Sequence, residues 1–432
     1  MLIQRLNRPR WVLALALTLV LLATVLVTGF QPAAAMDMNA NGMVCTTSPD
    51  STFTLTTKTG YIGTPDDNVI FMWGFSEGAS PFQHPSPVLC VNEGDTVTII
   101  LQNTLNTPVS IVFPGQDDVL ANGAPAQPQF DGVTGELTSL TNVAQANGGS
   151  MTYSFVANHP GTFIYQSGTN PAVQVRMGLF GALVVRPALG ANFANNRPDS
   201  EFNPDTEFLV LFSEIDPYLN QAVELGQGFD MNNYQPRYWM INGRGFPDSI
   251  APNFAPWLPT QPYGALARIH PLDPVNNPLP SLERFLSAGT EVVPMHPHAK
   301  NALLINQDGR PVEGPLGEDM AWENFSVPVG PGQTYDGLFK YVNEEGYDPL
   351  TNPIPVTIPN VNDLVYGMLY SGSPYLGVKG PLPVGAPDMS ECGEYYIISH
   401  NHALYQITSW GVPMTGPITF LRIDPPLPNS CP

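Results

Sequence analysis

Basic residues are scarce in this 432-residue chain. Sixteen lysines and arginines stand against 37 aspartates and glutamates, a formal net charge of −21. Such a surface repels nucleic acid and attracts cations, and first of all it keeps the chain soluble. Charge of either sign is sparse, at 12% of residues. Helical periodicity is nearly absent, with a turn or two expected around 218–225 or 321–324. Cysteine occurs four times. The chain has no Gly-x-Ser-x-Gly elbow, phosphate loop or His-Glu-x-x-His helix, so the commonest hydrolase, nucleotidase and zinc-protease signatures are excluded.

One long apolar run exists, Trp11 to Phe30. Arg5, Arg8 and Arg10 precede it and Ala33-Ala34-Ala35 follows. A basic start, an apolar stretch and small residues behind it make 1–35 a secretory signal. The same run is long enough to stay as a membrane anchor, but the cleavage-like alanines favour removal. No arginine pair precedes it, which points to Sec rather than Tat export. The cut removes three basic residues and no acids, leaving 13 against 37 and a charge near −24. The destination is secreted, periplasmic or cell-surface. An even number of cysteines in an oxidising compartment reads as disulfides. Three pairings are possible, and one staple per domain, Cys45–Cys90 and Cys392–Cys431, is the economical choice.

What is abundant is turn chemistry. The chain holds 39 glycines and 47 prolines, the latter about twice the usual share of ~5%. Short β-rich runs alternate with these turns at 52–57, 69–73, 96–101, 109–112, 151–155, 162–165 and 179–185. A second set follows at 207–212, 238–241, 265–270, 303–305, 334–340, 394–400 and 418–423. The spacing predicts an all-β protein of two tandem sandwiches, 36–190 and 207–428, joined by a linker over 191–206. The Pro- and Trp-bearing stretch 245–263 and the aperiodic 346–390 read as surface insertions in the second sandwich. Met36, Met38, Met43 and Cys45 read as a disordered leader rather than a soft copper tail.

Several segments, in order, resemble bacterial two-domain multicopper oxidases, that is, tandem cupredoxin-like Greek-key sandwiches. In the first half these are Glu93-Gly94-Asp95-Thr96-Val97, Gly161-Thr162-Phe163-Ile164-Tyr165 and Met177-Gly178-Leu179-Phe180-Gly181. In the second they are Tyr238-Trp239-Met240-Ile241-Asn242-Gly243-Arg244, Gly330-Pro331-Gly332-Gln333-Thr334-Tyr335-Asp336 and His400-Asn401-His402. The resemblance implies copper and a possible homotrimer. It also lets the copper motifs be compared residue by residue. Where the family has His-Trp-His-Gly, this chain has Ile111-Val112-Phe113-Pro114-Gly115, and where it has His-x-His after the Gly-Thr-x-x-Tyr strand, Gln166-Ser167-Gly168. The third motif reads Val293-Pro294-Met295-His296-Pro297-His298, and the last His400-Asn401-His402 with Gln406 beyond.

Blue-copper electron transfer needs two imidazoles and a thiolate. With Val293, Asn401 and Gln406 in the corresponding places, no such site can be drawn, and laccase-type turnover is not expected. Four cluster histidines remain, His296, His298, His400 and His402. Residues i and i+2 of an extended strand face one side, so two adjoining strands would gather four imidazoles able to hold one Cu(II), Ni(II) or Zn(II) ion, a square arrangement favouring copper and a tetrahedral one zinc. The plainer reading makes them remnants bonded to neighbours. His84, His159 and His270, each beside a proline, read as loop residues. Trp239, Trp257, Trp322 and Trp410 belong either to the core or to the rim of a groove. Two functions follow: a secreted metal-binding protein of simplified oxidase build, or a non-catalytic scaffold presenting a partner surface.

Overall fold

The computed structural model describes residues 41–298, 301–342, 394–429 and 431. The expected signal over 1–35 and the insertion at 346–390 lie outside them. The described chain is two tandem cupredoxin-like β-sandwiches, in which some strands alternate buried and exposed positions and others are buried throughout.

The first sandwich contains β1 (Thr52–Gly63), β2 (Val69–Glu77), β3 (Leu89–Asn92), β4 (Thr96–Asn103), β5 (Gly149–Val156), β6 (Gly161–Gln166) and β7 (Phe180–Arg186). One sheet runs β2-β1-β4-β5, extended at its edge by two-residue ladders, and the other β6-β7-β3. In β4 the alternation is clear: Val97, Ile99 and Leu101 are buried while Thr96 and Gln102 are exposed. They pack on Phe53, Leu55, Tyr153 and Phe163 in one core. The 109–112 run makes isolated bridges, Val109 to Ala144 and Val112 to Gln166, rather than the expected strand.

The second sandwich contains β8 (Glu207–Ile215), helix α1 (Pro217–Glu224), β9 (Tyr238–Ile241), β10 (Ala267–Ile269), β11 (Ser281–Ser287), β12 (Val293–Pro297), β13 (Ala302–Gln307), β14 (Val327–Val329), β15 (Thr334–Phe339), β16 (Tyr395–Asn401) and β17 (Ile418–Ile423). Its larger sheet includes β13-β15-β11-β8-β9, and its smaller one is ordered β10-β17-β16-β12-β14. Helix α1 falls where expected; Asp216 caps it by accepting from the Tyr218 N–H, and Pro217 starts it. The other helical expectation is overturned: Trp322–Asn324 is a strand on the edge of β13, stabilised by pairing that a local reading does not see.

Two further expectations change. The leader is ordered from residue 41: the Met43 N–H donates to the Glu207 carbonyl and Thr46 pairs with Leu89. Met36 and Met38 lie outside the described residues. The 245–263 stretch is packed in part, with Phe254 and Trp257 left at the surface. Ile250, Ala251, Ala255 and Leu258 are buried, and the buried Arg244 guanidinium donates to the carbonyls of Ala251 and Gln261. A guanidinium with five donors can satisfy several irregular carbonyls at once, which lets a proline-rich loop fold partly inward.

Cys45 and Cys90 form a disulfide. Cys431 is disulfide-bonded as well, and Cys392, its expected partner, lies outside the described residues. The Cys45–Cys90 bond ties the leader to β3 across 45 residues of sequence. Replacing both with serine should cost about 2–5 kcal/mol through the freed chain entropy of the unfolded state, read as a fall in the denaturant midpoint.

The sandwiches meet through a buried polar set. Arg284 on β11 bonds Glu207 at 2.7 Å, Asp336 at 3.2 Å and the Thr162 hydroxyl at 2.9 Å. Gly161, with φ +145°, leaves room for the second sandwich: a Cβ there would stand 2.9 Å from Gly309 Cα.

Candidate metal centre

β12 and β16 run antiparallel, with His296 directly opposite His400 and Met295 opposite Asn401. Alternation along β12 sends Val293 and Met295 into the core and leaves His298 exposed on the other face. The His402 N–H donates to the Pro294 carbonyl, holding the fourth histidine beside the first. All four expected residues are therefore brought onto one face. The His296 ring centroid lies 4.7 Å from that of His298, 5.7 Å from His400 and 5.0 Å from His402.

Backbone carbonyls fix two of the rings. His296 Nδ1 lies 2.6 Å from the Phe325 carbonyl oxygen, and His400 Nδ1 lies 2.9 Å from that of Asn401. A carbonyl only accepts, so each Nδ1 carries the proton and each Nε2 keeps its lone pair, the tautomer a metal ligand needs. These carbonyls were invisible in the sequence, since any residue type supplies one. Burial, followed by the other imidazoles of the cluster, lowers the His298 pKa; burial, only partly opposed by the Asn401 contact, also lowers that of His400. Both changes favour neutral imidazole.

His298 Nε2 and His400 Nε2 are 3.1 Å apart. Two nitrogens ~2.0–2.1 Å from one ion would be separated by ~2.9 Å at a right angle and ~3.3 Å at the tetrahedral angle. The separation falls in that range, and with His400 protonated on Nδ1 the same contact is a hydrogen bond donated by His298 Nε2–H, which a bound ion would replace. As the side chains stand, however, no three His, Cys, Asp or Glu groups among the described residues are placed to hold a metal together. The donor set is complete in kind, and His296 and His402 would have to rotate toward the pair.

Behind this face lies a closed polar network. Asn401 donates from Nδ2 to Gln406 Oε1, Gln406 Nε2 donates to Glu291 at 2.9 Å, and Trp239 Nε1 donates to the same carboxylate oxygen at 2.9 Å. Asn401 and Gln406 are fully buried and Val293 nearly so. Glu291 was not singled out in the sequence, because nothing local marks an acid as the acceptor of a remote amide. In the first sandwich, Val112 and Gln166 exchange backbone hydrogen bonds, while Ser110, Ser139 and Thr169 join hydroxyls at about 3.0 Å.

Residues 81–189 match the family model described as multicopper oxidase. Over that quarter of its length the chain is similar to a multicopper oxidase domain. Over 178 residues it is 29% identical to the L-ascorbate oxidase of Cucurbita maxima, covering 40% of this chain and 27% of that protein. It is 25% identical over 182 residues to a copper-containing nitrite reductase of Neisseria meningitidis, covering 41% and 40%. The chain thus aligns with about a quarter of the length of the oxidase. The blue copper oxidase of Nitrosomonas europaea superposes with a TM-score of 0.56 at 19% identity, covering 86% of this chain and 85% of that one, a likeness of fold. The domain matched in sequence is the first sandwich, whereas the four histidines lie in the second.

His84, His159 and His270 take no part in the cluster. His159 lies 3.0 Å from Asp117 and 2.7 Å from an Arg310 nitrogen, and His270 lies 3.5 Å from Asp424. His84 sits in a loop but is fully buried, and desolvation lowers its pKa to about 3.

Proposed function

We propose that this is an exported, copper-binding protein of multicopper-oxidase build that holds one Cu(II) through His296, His298, His400 and His402 and does not run laccase-type turnover. The observation that carries the reading is the 3.1 Å approach of His298 and His400 Nε2, with His296 and His402 beside them. Neutral imidazoles suit copper, and the carbonyl contacts of the His296 and His400 Nδ1 atoms leave Nε2 as the available donor on each ring. A bound copper would supply a Lewis-acidic, one-electron redox centre. The protein's own contribution is to present neutral nitrogens on a rigid pair of strands.

The absence of an electron-entry copper is supported by the Asn401, Gln406 and Glu291 network, in which hydrogen bonds take the place of a thiolate and a second imidazole. Residues 36–190 and 207–428 serve as the two cupredoxin-like units. Export is supported by the 1–35 signal pattern and by the disulfide, which persists in an oxidising compartment. Among the described residues no helix is long and apolar enough to cross a membrane. A homotrimer is carried by resemblance alone.

Metal analysis and EPR on protein loaded with Cu(II) test the site. One equivalent of copper with a nitrogen-coordinated signal is expected, and His296→Ala with His400→Ala should lower copper affinity at least about tenfold, the minimum that loss of an outer-shell partner alone costs. Equal copper in the double variant and the unmodified protein would overturn the reading.

A further inference from the structure

Phe254 and Trp257 stand on the outer side of the 245–263 segment, 63% and 55% exposed. Pro256 and Pro259 are exposed beside them, while Ala251, Ala255 and Leu258 are buried. The side turned to solvent therefore holds two aromatic rings and two prolines. No charged side chain occurs from 249 to 267, although the chain has 37 acids. Neither ring belongs to the histidine cluster.

The segment is built to hold these rings outward. The Arg244 guanidinium fixes its backbone from within. The Phe254 N–H donates to the Pro262 carbonyl at 2.6 Å, the Gly264 N–H to Asn253 Oδ1 at 2.8 Å, and the Thr260 hydroxyl to the Tyr61 carbonyl at 2.8 Å. Phe254 has φ +57°, a left-handed conformation that glycine and asparagine adopt readily and a bulky residue rarely. Phenylalanine is kept there against that strain, yet its ring finds only an edge contact with Tyr263, 6.4 Å between centroids.

The place of this face in the chain selects its partner. Asn253 Nδ2 donates to the Gly42 carbonyl at 2.9 Å, and Met43 and Val44 pack in one cluster with Tyr263. The first described residues thus join the fold beside Phe254. Phe30, the end of the apolar run, precedes Gly42 by twelve residues, and Met36, the first after the expected cut, by six. Extended chain spans at most ~43 Å and ~22 Å over those lengths. Export places the apolar run in a bilayer, so this face is delivered within that reach of a lipid surface whether the run is then cut or kept. Phenylalanine and tryptophan settle at such an interface, with the indole N–H left to the headgroups. Other exposed apolar side chains have acids beside them: Val133 has Asp131 and Glu136, and Leu316 has Glu318. Those acids would be carried into the boundary layer at a desolvation cost. Two rings on one loop cover far less than the ~800 Å² per partner of a stable protein interface, whereas interfacial binding grows with each ring buried. The net charge of −21 disfavours anionic lipid. We propose that Phe254 and Trp257 seat the second sandwich on a zwitterionic bilayer surface, their rings in the headgroup–acyl boundary.

The full chain, synthesised without signal peptidase so that residues 1–35 are retained, is reconstituted in phosphatidylcholine vesicles with and without acyl-brominated phosphatidylcholine, which quenches tryptophan at that depth. The difference in emission between the unmodified chain and Trp257→Phe isolates Trp257 from the other tryptophans. Brominated lipid should remove most of that difference. Phe254→Asn should restore part of it, while the thermal midpoint holds or rises because asparagine suits φ +57°. Trp257 emission that brominated lipid leaves unquenched would place the ring in water and overturn the proposal. A dimer of the detergent-solubilised chain that Trp257→Asp splits would overturn it as well, by seating the rings on a second copy. The copper reading shares no residue with this face and is unaffected by any of these results.

Discussion

Arg284→Met should destabilise the protein by about 3–5 kcal/mol, the usual cost of removing one partner from a buried ion pair. Arg284 is fully buried and bonds Glu207 and Asp336 from the second sandwich and Thr162 from the first. Methionine fills similar space but leaves Asp336 without its cation and Glu207 with Arg186 alone. Burial by itself would raise the Glu207 carboxyl; the Arg284 and Arg186 guanidiniums overcome it and hold the group below its ordinary value. A depressed carboxyl stabilises the fold above the unfolded pKa of ~4.3, and that contribution disappears as pH falls through the folded value. Part of the loss of stability in acid below about pH 4.3 should therefore vanish in the variant. Urea melts at pH 7 and pH 4 check both statements. A variant as stable as the unmodified protein at pH 7 would show that the buried set contributes nothing net.

Glu283→Met should have the opposite sign. Glu283 neighbours Arg284 on β11 but alternates with it, sharing parity with Phe285 of the second core. It is 1% exposed, and both carboxyl oxygens lack a partner among the described residues. Desolvation pushes its pKa well above the ordinary carboxylate range. The folded protein consequently keeps a proton that the unfolded chain releases above ~4.3. With more protons bound in the native state, stability falls as pH rises. Methionine removes both that dependence and an unsatisfied polar group, whose burial costs about 1–3 kcal/mol. Thermal melts at pH 4 and pH 8 should show a gain at each and a larger gain at pH 8. Equal gains would mean that Glu283 does not titrate abnormally.

Legibility in the sequence followed the range of the interaction involved. β4 was readable because Thr96 to Ile99 alternate polar and apolar residues and a β-branched run continues them, a pattern that burial on one face imposes locally. β11 escaped because Glu283 and Arg284 interrupt its apolar run, although every residue from Ser281 to Ser287 is buried. Its pairing with β8 and β15 supplies what the local pattern withholds. Trp322–Asn324 was misread for the same reason. The packing of the 245–263 segment depended on Arg244, whose carbonyl partners lie as many as 17 residues away.

At the candidate centre, the sequence by itself determined the residue types, two His-x-His pairs in extended chain, and the period of two that puts each pair on one face. It likewise determined that no cysteine stands at position 401. Only the tertiary structure decided that His296 lies opposite His400, that the carbonyls of Phe325 and Asn401 set the imidazole tautomers, and that Glu291 receives the amide of Gln406. Strand register and backbone carbonyl placement arise from pairing between distant segments. No property of the individual side chains encodes them.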